Sequence, residues 1–168
     1  MRVKQDFFFG IDRVFEHHYF ETLSDVVLDS EPRSLLLCLD AGRTPFEHLK
    51  PLALSLLESG GVFFCCHGYS AKMVHDAIDW VRVEREIRSG EFGLRKAECE
   101  RKVIMTTWHD NEPLSEVVEF WCRYGYPPAE WGPVRNWTSV VIGDRDAHES
   151  IQRHVATRQP TDLELGRI

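Results

Sequence analysis

Ser34-Leu35-Leu36-Leu37-Cys38-Leu39 is an unbroken apolar run that ends on Asp40. A strand with one solvated face alternates polar and apolar residues, so an uninterrupted run points to a strand covered on both faces, as in a parallel sheet. Similar runs recur at Val62-Phe63-Phe64-Cys65-Cys66, at Val103-Ile104-Met105 and at Val140-Val141-Ile142, the last entered through Trp137. Stretches with helical spacing lie between them. Thr44-Pro45-Phe46-Glu47 reads as a capping box with Thr44 at the N-cap, and its helix ends at Gly60-Gly61. Pro51 should kink that helix or mark its true start. Ser70 is placed to cap the next helix, where Met73, Val74, Ala77, Ile78 and Val81 form a stripe. Pro113 opens a third, with Leu114, Val117, Val118 and Trp121 on one face and Gly125 at its end; a fourth starts near Ala147 and passes Val155. This alternation predicts βαβ crossovers. The fold class expected is α/β, a single three-layer Rossmann-like or flavodoxin-like domain on a mostly parallel sheet of about four to five strands.

The length of 168 residues suits one domain over 1–168. Residues 1–33 are expected as an N-terminal extension packing on the sheet, with Phe20 to Leu28 reading as helical and Phe7-Phe8-Phe9 packing or pairing at an edge. Glu91 to Glu100 reads as a loop or short helix, Pro127 to Pro133 as an irregular excursion, and 159–168 as a loose tail.

An apolar share of 43% supplies a core, and no stretch approaches the ~20 consecutive apolar residues of a membrane helix. The apolar run near the N-terminus, Phe7-Phe8-Phe9, is too short for a secretory signal, so a cytoplasmic location is expected. Cys38, Cys65, Cys66, Cys99 and Cys122 are odd in number and contain no CxxC spacing, which argues against a zinc ribbon or a redox pair. Net charge is −7. The densest basic stretch, Arg82 to Lys102, is interleaved with glutamates, so nucleic-acid binding is not expected. An acidic surface favours a basic protein partner, or simply solubility. The sequence sets no oligomeric state.

Ligands of open parallel sheets bind beyond the carboxyl ends of the strands. The four runs exit into Asp40, into His67-Gly68-Tyr69-Ser70, into Thr106-Thr107-Trp108-His109-Asp110-Asn111-Glu112, and into Asp144. Asp40, His67, His109, Asp110 and Asp144 should therefore share one rim, where histidines beside carboxylates suit acid–base work or a divalent metal. The plainer reading is that Asp110 or Asn111 caps the third helix and Asp144 or Asp146 the fourth. Trp121 and Trp137 are expected in the core. His75 and Asp79, four apart, can pair on a helix flank. Glycine-rich nucleotide loops and a nucleophile elbow are missing, and no cofactor is expected. Cys38 to Arg43 is one residue too short for the phosphate loop of a cysteine phosphatase.

Met105-Thr106-Thr107-Trp108-His109-Asp110-Asn111-Glu112-Pro113-Leu114-Ser115-Glu116 resembles a run in a family of small bacterial proteins known only as a domain of unknown function. Val74-His75-Asp76-Ala77-Ile78-Asp79 is similar to a second, weaker segment of that family. The resemblance covers residues 34–142 and implies a strand–helix alternation, but carries no activity. Where the family is expected to have Trp-Gly, this chain has His67-Gly68, which leaves Trp108, His109, Asp110 and Glu112 as the leading site residues.

Three functions follow. The first is a non-catalytic accessory or immunity-type domain that docks a protein partner through an acidic, aromatic surface including Trp108, Glu112, Tyr126 and Trp131. The second is a small hydrolase or transferase, possible with a metal, in which His109 acts as base or ligand with Asp40, Asp110 and His67 around it. The third is a sensing domain for a nucleotide or small molecule in the same crevice.

Overall fold

A computed structural model describes residues 2–8, 11–40, 42, 44–90 and 102–157. Strands run Arg2–Phe8 (β1), Ile11–Phe20 (β2), Arg33–Leu39 (β3), Gly61–His67 (β4), Met105–His109 (β5) and Asn136–Ile142 (β6). Helices run Phe46–Glu58 (α1), Ala71–Ser89 (α2), Leu114–Tyr124 (α3) and Arg145–Thr157 (α4). The strands form one sheet in the order β1-β2-β6-β3-β4-β5. Every neighbouring pair is parallel except β1 with β2. Among the described residues the sheet is thus five parallel strands plus one antiparallel edge strand. The order differs from that of a flavodoxin, because the last strand inserts between β2 and β3.

Period-two alternation sorts the core into two layers. Leu35, Leu37, Leu39, Phe64, Val140 and Ile142 pack with residues of α1 and α2. Leu36, Cys38, Phe63, Cys65, Trp137 and Val141 pack with residues of α3 and α4. Burial of β3 is complete along its length, as the uninterrupted run predicts. Trp121 and Trp137 are both fully buried, with ring centroids 5.3 Å apart.

Several local expectations need correction. Phe20 to Leu28 is not a helix: Phe20 ends β2, and only a single 3-10 turn, Leu23–Asp25, follows. Part of the supposed extension, 11–20, is a strand inside the sheet. Thr44 does not cap α1. Pro45 occupies the N-cap in an extended conformation, and Pro51 sits within the helix rather than at its start. The third strand runs through Trp108 to His109 rather than ending at Met105. As an edge strand it alternates its faces instead of showing a continuous apolar run, which hid its length. The readings for 91–100, Phe9, Arg43, Cys99 and 159–168 lie outside the described residues.

The amino ends of the strands are held by buried arginines that no motif announces. Arg13 is fully buried, donates to the Cys122 carbonyl at 2.7 Å and lies 4.6 Å from the centroid of the Trp137 ring. Arg33, also buried, donates to the carbonyls of Ser59 and Glu31 and to the Thr138 hydroxyl.

Candidate functional site

β5 and α2 build the most distinctive surface. In β5, Thr106 and Trp108 point toward α2, and Thr107 and His109 toward α3. His75 of α2 packs against Trp108, with ring centroids 4.6 Å apart and planes at 64°. Its Nδ1 lies 3.1 Å from Asp76 and its Nε2 3.6 Å from Asp79. Thr106 donates to Asp79 at 3.3 Å. Lys72 bonds Asp76 at 2.7 Å, and its ammonium stands 5.8 Å from the centroid of the Trp108 ring. Burial alone would raise the Asp76 carboxyl; hydrogen bonds from Lys72 and His75 outweigh it and hold the pKa below the usual value. The two segments singled out in the sequence therefore meet in space.

Asp110 joins them by a cap. Ser70 occupies the N-cap of α2 but has φ 60 and makes no side-chain cap bond. Asp110 substitutes for it, accepting from the Lys72 backbone N–H at 3.2 Å. Asp110 thus caps α2, not α3. Pro113, at the N-cap of α3, makes no side-chain cap bond.

The histidines of the rim are neighbours, since His67 and His109 are register partners on β4 and β5. His109 is 7% exposed, and its Nδ1 sits 2.6 Å from the Glu112 carboxylate. Its Nε2 is buried with no hydrogen-bond partner among the described residues, and the ring centroid lies 4.9 Å from that of Phe120. His67 Nε2 lies 3.0 Å from the Glu112 carbonyl oxygen. One oxygen of Asp40 serves its own turn, accepting from Gly42 N–H at 3.0 Å. The two histidines thus share Glu112, through its carbonyl and its carboxylate, whereas Asp40 and Asp110 are engaged elsewhere, with Gly42 and Lys72. Among the described residues no group of three or more His, Cys, Asp or Glu side chains is arranged to hold a metal.

Asp40 and Asp144 leave adjacent strands, β3 and β6, and line one cleft. Asp144 caps α4, accepting from Ala147 N–H at 2.9 Å. Tyr126 belongs to the core wall rather than to a docking surface: its ring meets Trp137 edge-on at 5.2 Å, and the Arg13 guanidinium stands 5.6 Å from its centroid. Trp131 is half-buried; it donates to the Val103 carbonyl at 2.6 Å, with Lys102 4.9 Å from its ring centroid, and so clamps the lead-in to β5.

One polar cluster escaped the sequence entirely. His17 Nδ1 lies 2.7 Å from the Ser139 hydroxyl, and His17 Nε2 lies 2.6 Å from His148 Nδ1. Burial first, then the neighbouring His148, push the His17 pKa from 6.5 down to about 4. Ser139 itself is buried within β6.

The buried thiols are inert. Burial raises the Cys38 and Cys66 pKa values well above the ordinary range and that of Cys65 to about 12.

The family description "Domain of unknown function (DUF7684)" matches residues 15–158. The chain belongs to this family. The match takes in β2 from Phe15 onward, β3 to β6, the four helices and both surfaces just described, but not the edge strand β1. No curated protein and no solved structure matches the DUF7684 chain. No helix among the described residues is long and apolar enough to cross a membrane.

Proposed function

We propose that this domain is a non-catalytic protein-binding module that takes a basic, strand-like segment of a partner along the outer edge of β5. The observation that carries the reading is Trp108: 46% exposed, on the last strand of the sheet, beside the carboxylates of Asp76 and Asp79. Val103 and Met105 are also exposed, so three large apolar residues fall on one short edge segment. Sheet edges of this kind are normally blunted by charge, proline or a cover, because their free backbone groups and apolar side chains recruit another strand. A partner strand would pair with the β5 backbone and rest on Trp108, with its lysines or arginines meeting the α2 carboxylates. The chain's net charge of −7 likewise favours a partner of positive charge.

The enzymatic alternative has less support. Its base, His109, keeps its free nitrogen buried beside Phe120.

The test is a titration of isotope-labelled protein with a capped peptide alternating lysine and valine. Amide shifts at 105–109 and at the Trp108 indole are expected, and their loss in Trp108→Ala and Asp79→Asn. Shifts confined to other strands, or shifts unchanged by both substitutions, would remove this edge as the docking site.

A further inference from the structure

The chain leaves β3 for α1 on one face of the sheet and leaves β6 for α4 on the other, although the two strands are neighbours. Their loops part, and a crevice opens at the point where open α/β sheets hold ligands. A cleft of about 1220 Å³ occupies it. Leu39, Ile142, Val26 and Leu52 form an apolar floor. Polar groups converge above it: Asp40, Asp144, Thr44, His48 and Ser55. An apolar cleft with a few convergent polar groups is the usual form of a small-ligand site.

The charge of the lining selects the ligand. Among the described residues of the lining, Glu21, Asp40, Asp144 and Asp146 face the cleft, against Arg145 alone of the lysines and arginines. Arg145 is already bonded to Glu21 at 2.8 Å. The start of α4 would ordinarily attract an anion, but the Asp144 carboxylate fills that place by accepting from Ala147. Asp40 and Asp144 each give one oxygen to a backbone N–H, and no second bond is made by either among the described residues. A phosphate or carboxylate ligand is repelled here; a cation with an apolar stem matches both floor and rim.

We infer that this cleft binds an organic cation, an ammonium or guanidinium group on an aliphatic stem, held between Asp40 and Asp144. The site stands two strands away from β5 and does not depend on the edge-docking reading. The cation has two sources, a free amine or a lysine or arginine side chain of a polypeptide.

Calorimetric titration separates them. The probes are 1,5-diaminopentane and agmatine for the free amine, capped Gly-Lys-Gly and Gly-Arg-Gly for the side chain, and adenosine monophosphate as an anion. Saturable binding of one cationic pair is expected, weakened roughly tenfold or more in Asp40→Asn, and weakened by added salt. Asp144→Asn, which keeps an acceptor for the α4 cap, should weaken it similarly; urea unfolding of each variant guards against a folding defect. No saturation by any cation, binding unchanged in Asp40→Asn, or preferential binding of the nucleotide would overturn the assignment.

Discussion

His75 and Trp108, on different elements and 33 positions apart, meet ring to ring at 4.6 Å and join α2 to the edge strand β5. The contact packs part of a half-exposed tryptophan against the helix. Trp108→Ala should cost only about 1 kcal/mol, because much of the ring is already in water. Trp121→Ala, by contrast, empties a fully buried site and should cost about 3–5 kcal/mol. Urea unfolding of the two variants side by side checks the difference. A large loss from Trp108→Ala would make that ring structural.

Asp110 serves α2 from outside the helix, so its removal should act there. Asp110→Ala is expected to destabilise by about 1 kcal/mol, the usual effect of losing an N-cap. Hydrogen exchange at residues 72–74 should accelerate more than exchange in α3. Equal acceleration of both helices would refute the assignment of the cap.

His17 makes stability depend on pH. Its pKa is near 4 in the folded chain and near 6.5 when unfolded. Between those values the unfolded chain takes up the proton and the folded one does not. Stability present above pH 6.5 is therefore lost as pH falls toward 4, on the order of 2 kcal/mol from this group. Urea midpoints across that range should fall with acid, and less steeply in His17→Gln. A midpoint independent of pH in the wild-type chain would contradict the burial argument.

Arg33 cannot be exchanged for lysine. Its guanidinium reaches acceptors on Glu31, Ser59 and Thr138 at once. A lysine ammonium has neither the span nor the planar fork, so Arg33→Lys should cost about 2–3 kcal/mol. Thermal unfolding measures this, with Arg88→Lys on the exposed end of α2 as the neutral control.

The β4–α2 turn should respond in opposite ways at Gly68 and Ser70, two positions apart. Gly68 has φ +123, and an added Cβ would stand 2.3 Å from the Leu39 carbonyl oxygen. Gly68→Ala should cost more than about 2 kcal/mol. Ser70 has φ 60 without a side-chain cap bond, so Ser70→Gly should be neutral or stabilising by up to about 1 kcal/mol. Chemical denaturation of both decides; loss of stability in Ser70→Gly would mean the hydroxyl has a role.

The parts of the fold legible beforehand were those governed by burial alone. β3, β4 and β6 announce themselves because both faces are covered, and the stripes of α2 and α3 because one face is. β2 hides, since Arg13, Glu16, His17 and His18 break its apolar pattern. Those groups are tolerated only because partners such as Cys122 and Ser139, more than a hundred positions away, satisfy them. The same holds for the sites. Asp40 and Asp144 follow from where strands end, and resemblance singled out the segments around His75 and Trp108 separately, without their contact. The His17–Ser139–His148 cluster had no local signal at all.

The four thiols of Cys38, Cys65, Cys66 and Cys122 are sealed in the core. Sealing protects them only while the chain is folded. Once opened, they regain an ordinary thiol pKa near ~8.5 and oxidise readily in air. Denaturation without a reductant should then be a one-way event, with melting temperatures that drift with scan rate and refolding yields that depend on the redox buffer.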